Sequence, residues 1–221
     1  MPEEKSMSAD NENTPPKGPR FNVNVEDAKA RAQEAIHKSE IIFTRAWGLL
    51  SEPKKEWEQI KAEQTTVPNI LIGYVAPLAA IPPVCDLIGS ALFNRLLTIE
   101  PGEALIRAVV TWIVSIGLVY FLGVLVNVLA DTFDADRDEL SAQKIAAYSL
   151  TPSFLSGLFS LWPPLWWISL FALAAMVYIM HRGLPILMKA PEDRALSYAA
   201  SVTIAAAVAG IVLFSLASCV T

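Results

Sequence analysis

After residue 69 the chain alternates long apolar runs with short polar gaps. Ile70–Leu92 holds one charge, Asp86. Leu105–Ala130 holds one, Arg107, near its start, and Ala195–Val220 holds none. A helix needs roughly 20 mostly apolar residues to cross a bilayer, and each run meets that length. Ile145–Met180 continues for 36 residues without Asp, Glu, Lys, Arg or His. That is too long for one crossing and suits two. Trp162-Pro163-Pro164 supplies the turn, because an interior proline loses a backbone hydrogen bond and clashes with the preceding turn. The pattern predicts an all-α, polytopic membrane helix bundle. Its membrane domain, 67–221, holds five transmembrane helices near 70–92, 105–130, 145–162, 165–181 and 195–220.

Ahead of the spans the pattern changes twice. Residues 1–24 are polar, with Pro2, Pro15, Pro16, Gly18 and Pro19, and read as a disordered tail. From Val25, Ala28, Ala32, Ala35, Ile36, Phe43, Ala46, Trp47 and Leu50 recur at helical steps and predict one apolar face. Ser51-Glu52-Pro53 restarts the chain as a second helix that shows Trp57 and Ile60 together. The region 25–66 therefore reads as two amphipathic helices. They lie on the membrane surface, with Trp47 and Trp57 at headgroup level, pack on the ends of the spans, or bind a partner protein.

Charge orients the chain. Residues 1–69 contain 10 of the 17 Lys and Arg. With the tail inside, the gaps containing Arg137 and Lys144, and Arg182, Lys189 and Arg194, bring the inner count to 15 against Arg95 and Arg107 outside. The positive-inside rule then sets the N-terminus in the cytoplasm and the C-terminus outside. Trp162, Trp166 and Trp167 fall at the outer turn, as an aromatic belt requires. No signal-peptide pattern opens the chain, so the first span serves as its entry. The net charge of −5 says little about partners, but with no basic excess and no nucleic-acid motif, nucleic acid is not expected as one.

Chemistry-bearing residues are few. Asp134, Asp136 and Asp138 have the spacing of a calcium loop, but its sixth and twelfth positions hold Glu139 and Ile145 instead of glycine and glutamate. His181 has no companion ligand within its span, and Cys85 and Cys219 form no metal set or disulfide framework. No metal or cofactor is expected. Asp86 is the one acid inside a span. It lies near the outer end, at the depth of Arg107, where the two can pair. The last span has small residues at Ala199, Thr203, Ala206, Ala207 and Gly210, of which Ala206 and Gly210 are candidates for close helix contact. That contact is either within the bundle or with a second copy.

Several local patterns, in order, resemble one family. Glu56-Trp57-x-x-Ile60-x-x-Glu63 precedes the first span, which then reads Tyr74-Val75-Ala76-Pro77 and continues to Pro82. Tyr148-Ser149-Leu150-Thr151-Pro152, Gly157-Leu158-Phe159 and Gly183-Leu184-Pro185, continuing to Ala195, follow. Together they resemble the Yip (Ypt-interacting protein) domain family in its bacterial branch, over about 47–217. The resemblance implies five spans, a cytoplasmic N-terminus and a bacterial inner membrane location. It singles out Trp57, Ile60, Glu63, Tyr74, Pro77, Tyr148, Thr151, Pro152, Gly183 and Pro185. Eukaryotic relatives bind prenylated GTPases, a partner not carried over to a bacterial chain.

No nucleophile with a placed base can be nominated, so the expected role is non-catalytic. It is that of a scaffold or adaptor working with the lipid bilayer and with other membrane proteins, or as a homo-oligomer. The alternative is a small-solute or ion transporter using the proline-broken first span.

Overall fold

A computed structural model of the protein describes residues 42–92, 101–165 and 167–218, together with Lys29, Gln33 and Glu40. The chain divides into two compact units, Met1–Glu40 and Ile41–Thr221. Lys29, Gln33 and Glu40 are helical. The tail expected to be disordered, and the first amphipathic helix as far as residue 41, otherwise lie outside the described residues. All regular structure in the second unit is helical among the described residues.

Helix α1 covers 42–51 and α2 covers Pro53–Ala62. The single apolar face expected on α1 resolves into two. Ala46 and Leu49 are buried, while Phe43, Trp47 and Leu50 are exposed. Pro53 opens α2, where its missing N–H costs nothing.

Helix α3, Val67–Leu92, is long and apolar enough to cross a membrane. The distortion expected at Pro77, Pro82 and Pro83 takes two forms, a π turn ahead of Pro77 and an interruption at Ala80 ahead of Pro82. Leu71–Val75 is a π turn, in which the Ala76 N–H bonds to Leu71 O. The Pro77 ring would strike the carbonyl four residues back, and widening the turn relieves that clash. Pro82 and Pro83 instead enter at the first turn of Ile81–Leu92, where prolines are tolerated.

Helix α4, Pro101–Leu129, tightens into a 3-10 turn at Ala130–Phe133. Its outward side shows Ile106, Val110, Ile113 and Val128 to the surroundings. An exposed apolar face of this length fits lipid and not water.

The next segment departs from the expected single span over 145–162. It breaks into α5 (Glu139–Ser149), α6 (Thr151–Ser156) and a 3-10 stretch, Gly157–Leu161. Pro152 has no N–H for the Tyr148 carbonyl, so the α-helical ladder cannot run through. The broken segment packs tightly on α3. A Cβ on Gly157 would stand 2.6 Å from Pro82 Cγ.

Helix α7, Ile168–Leu187, and helix α8, Glu192–Ser218, complete the bundle. Pro185, expected at the exit of the fourth span, lies inside α7, which continues beyond His181 to Leu187. The helix stops at a left-handed Lys189, and the Ala190 N–H bonds back to Leu184 O.

The aspartates that follow α4 make exposed ion pairs at this end of the bundle. Asp131 pairs with Arg137 at 2.8 Å, Asp136 with Lys189 at 2.8 Å, and Asp134 with Arg194. Asp138 caps α5 by accepting the Ser141 N–H at 2.8 Å.

Candidate functional site at the tail-side end of the bundle

Trp57, on α2, is fully buried, and its indole N–H donates to the carbonyl of Ile179 on α7 at 3.0 Å. The ring fills the space over Gly183, where a Cβ would stand 2.6 Å from Trp57 Cε2. One helical turn separates Ile179 from Gly183, so one side chain both hydrogen-bonds to α7 and covers its bare backbone. Ile60, one turn further along α2, is buried in the same core.

Tyr148, from α5, meets Trp57 edge-on at 6.3 Å between ring centres and meets Tyr74, from α3, at 4.5 Å. The Tyr74 hydroxyl lies 2.7 Å from Thr151 Oγ1, and Thr151 Oγ1 donates to Tyr148 O at 2.7 Å. A threonine hydroxyl has one proton, already given to the carbonyl, so Tyr74 must be the donor in the first bond. The role of Thr151-Pro152 follows. Proline leaves the Tyr148 carbonyl without its helical donor, and the adjacent hydroxyl replaces that donor.

Two basic residues that motif reasoning passed over close the site. Lys144, only 4% exposed, donates from Nζ to the carbonyls of Ile60 and Glu63, each at 2.7 Å. These belong to the open end of α2, where carbonyls lack helical partners and the helix dipole is negative. Burial pushes the Lys144 ammonium below its ordinary pKa, with Glu63 pulling the other way. Arg45, on α1, reaches Glu56 and Glu63, each at 3.0 Å, and lies 5.7 Å over the Tyr148 ring. A signal for Lys144 was available: it stands one helical turn before Tyr148 and shares its face. Arg45 had no comparable signal.

The structure thus brings Trp57, Ile60, Glu63, Tyr74, Tyr148, Thr151 and Gly183 into one junction of α2, α3, α5, α6 and α7. Pro152 is buried beside it, whereas Pro77 is exposed.

Asp86 and Arg107 belong elsewhere. They line one cavity of about 260 Å³ with Pro82, Pro83, Thr111 and Ser160, but no ion pair joins them. Ala206 packs against the core of its own chain. The surroundings of Gly210 lie outside the described residues.

These features define a polytopic α-helical membrane protein whose tail helices are docked on its spans. The chain matches the Yip1 domain family over residues 47–214 and belongs to that family. It is similar to the inner membrane protein YohC of Escherichia coli strain K12, at 27% identity over 168 residues. The match covers 72% of this chain and 86% of the relative. The YohC protein of Escherichia coli O6:H1 matches to the same extent. No solved structure matches.

Proposed function

We propose that the protein is a non-catalytic scaffold or adaptor for other membrane proteins in a bacterial inner membrane. It is built on five spans, with its tail and the 131–144 and 182–194 loops in the cytoplasm. One observation carries the reading: the aromatic and hydroxyl residues of the motif set, Trp57, Tyr74, Tyr148 and Thr151, turn inward, while Glu63 and Pro77 stay exposed. The polar atoms of Trp57, Tyr74 and Thr151 are bound to one another or to backbone inside the core. Catalytic groups must face a substrate. Groups arranged like these instead hold α1 and α2 in a fixed pose on the spans.

That pose presents Phe43, Trp47 and Leu50 outward along α1. An exposed apolar stripe on a fixed platform suits a partner helix or the lipid interface. A pull-down in mild detergent with quantitative proteomics tests the reading. The triple variant Phe43→Ser, Trp47→Ser, Leu50→Ser should lose the partner set that the wild type retains, and Asp86→Asn should keep it.

A transport reading draws on the cavity that holds Asp86 and Arg107. Movement of protons or a solute by purified protein in liposomes, abolished by Asp86→Asn, would replace the adaptor reading with this one.

A further inference from the structure

A second cavity, about 210 Å³, lies between the start of α2, the far end of α7 and the start of α8. Its walls carry both signs of charge. Lys54, His181 and Arg182 bring donors, and Glu58 and Glu192 bring carboxylates. Among the described residues none of the charged side chains Lys54, Glu58, Arg182 and Glu192 forms an ion pair. Yet Lys54 and Glu58 are one helical turn apart, a spacing that allows pairing. Nearby charges behave differently, since Arg45 holds two acids and Lys55 pairs with Glu52 at 3.3 Å.

Two residues of the cavity wall also hold a buried polar atom without a hydrogen-bond partner, Arg182 Nε and His181 Nδ1. An unsatisfied buried group costs stability unless a ligand or water meets it. Pro185 adds an acceptor. It has no N–H to give to the His181 carbonyl one turn before it.

The depth of the cavity points to lipid. The Arg182 guanidinium lies 5.3 Å over the ring of Tyr178, an exposed residue one turn back along the membrane-length helix α7. An aromatic ring and a basic side chain at the end of such a helix mark headgroup level. At about 210 Å³ the cavity falls below the range of roughly 300–1,000 Å³ usual for drug-sized ligands, a scale that suits a headgroup.

We propose that this cavity binds a phosphoethanolamine group. The phosphodiester accepts from Arg182, Lys54 and His181, and the primary ammonium donates to Glu58 and Glu192. A guanidinium suits phosphate oxygens, and an ammonium has three donors to share between two carboxylates and a free carbonyl. Selectivity follows from the same chemistry. A choline headgroup has no N–H to donate, and a glycerol headgroup leaves the two carboxylates without a cation.

The test is native mass spectrometry of the full chain, delipidated in detergent and offered equimolar phosphatidylethanolamine, phosphatidylcholine and phosphatidylglycerol. The ethanolamine lipid should be retained about tenfold over the other two, the ratio expected for one charge-assisted contact. Arg182→Gln, or Lys54→Gln should the first variant misfold, should reduce retention of that lipid by a similar factor. Glu58→Gln with Glu192→Gln should bring it down to the level of the choline lipid. Soluble O-phosphoethanolamine distinguishes the sources. Thermal stabilisation by the soluble compound, lost in Arg182→Gln and without a selective lipid adduct, would place the ligand in the aqueous phase and keep the site. Equal retention of all three lipids with no effect of the soluble compound overturns the proposal. So does unchanged selectivity in the folded double glutamine variant.

Discussion

The indole of Trp57 occupies the space that a side chain on Gly183 would need: a Cβ there would stand 2.6 Å from Cε2 and 2.7 Å from Cζ2. Both residues lie in the family match, one before the first span and the other near the end of α7. Their pairing is a matter of fit, with ring and bare backbone as the two halves of one contact.

Gly183→Ala should therefore destabilise the fold by overpacking, by about 1–3 kcal/mol. Thermal unfolding in detergent, followed by tryptophan fluorescence, measures it. Trp57→Phe in the same background should recover part of the loss, because the smaller ring makes room for the methyl group. A Gly183→Ala variant as stable as wild type would show that the indole moves aside freely.

Thr151→Val keeps the shape of the side chain and removes its hydroxyl. The Tyr148 carbonyl and the Tyr74 hydroxyl then lose their partners, at a cost of about 1–3 kcal/mol. Thr151→Ser should restore most of the stability. If valine and serine melt alike, the hydroxyl is not what stabilises the break between α5 and α6.

Lys144→Met removes both bonds to the end of α2, and α2 should loosen first, which amide exchange across 53–63 would report. A pH effect accompanies it. Burial holds the folded-state pKa of Lys144 below its ordinary value of 10.5. Between the folded value and 10.5 the unfolded chain binds the extra proton, so this group's contribution to stability rises with pH across that window. Below the window both states are protonated and the contribution is at its lowest. The methionine variant should lack this part of the pH slope.

Orientation can be read with reporter fusions. Alkaline phosphatase joined after Thr221 should be active in a bacterial host, and the same enzyme inserted within 182–194 should be inactive. The basis is the distribution of Lys and Arg, 15 on the side proposed as cytoplasmic against 2 on the other. Activity at the 182–194 loop would require a different number of crossings.

Length and apolarity made α3, α4 and α7 legible in the sequence, because a run of about 20 apolar residues has few other uses. The breaks were harder to read. Pro77, Pro82 and Pro83 all invited a kink, but the form of each break was not legible: a π turn ahead of Pro77 and an interruption at Ala80 ahead of Pro82. Pro185 reads as a helix end in isolation, yet α7 continues past it to Leu187. The motif residues were identifiable as a set, yet their mutual contacts were not, because Trp57 and Ile179 are 122 positions apart. Lys144 counted only as one more inner charge: its place on the Tyr148 face was readable, but the backbone carbonyls it bonds leave no mark on a sequence pattern.

The anchor of α2 also sets an order of events during synthesis. Trp57 leaves the ribosome 122 residues before Ile179, the residue whose carbonyl it bonds. At about 5–20 residues per second that interval is roughly 6–25 s. Throughout it the tail helices have no α7 to close on, and the Trp57 ring has no Gly183 backbone to cover. A chaperone or the lipid surface therefore has a timed opportunity to hold α2, which closes when α7 enters the bilayer.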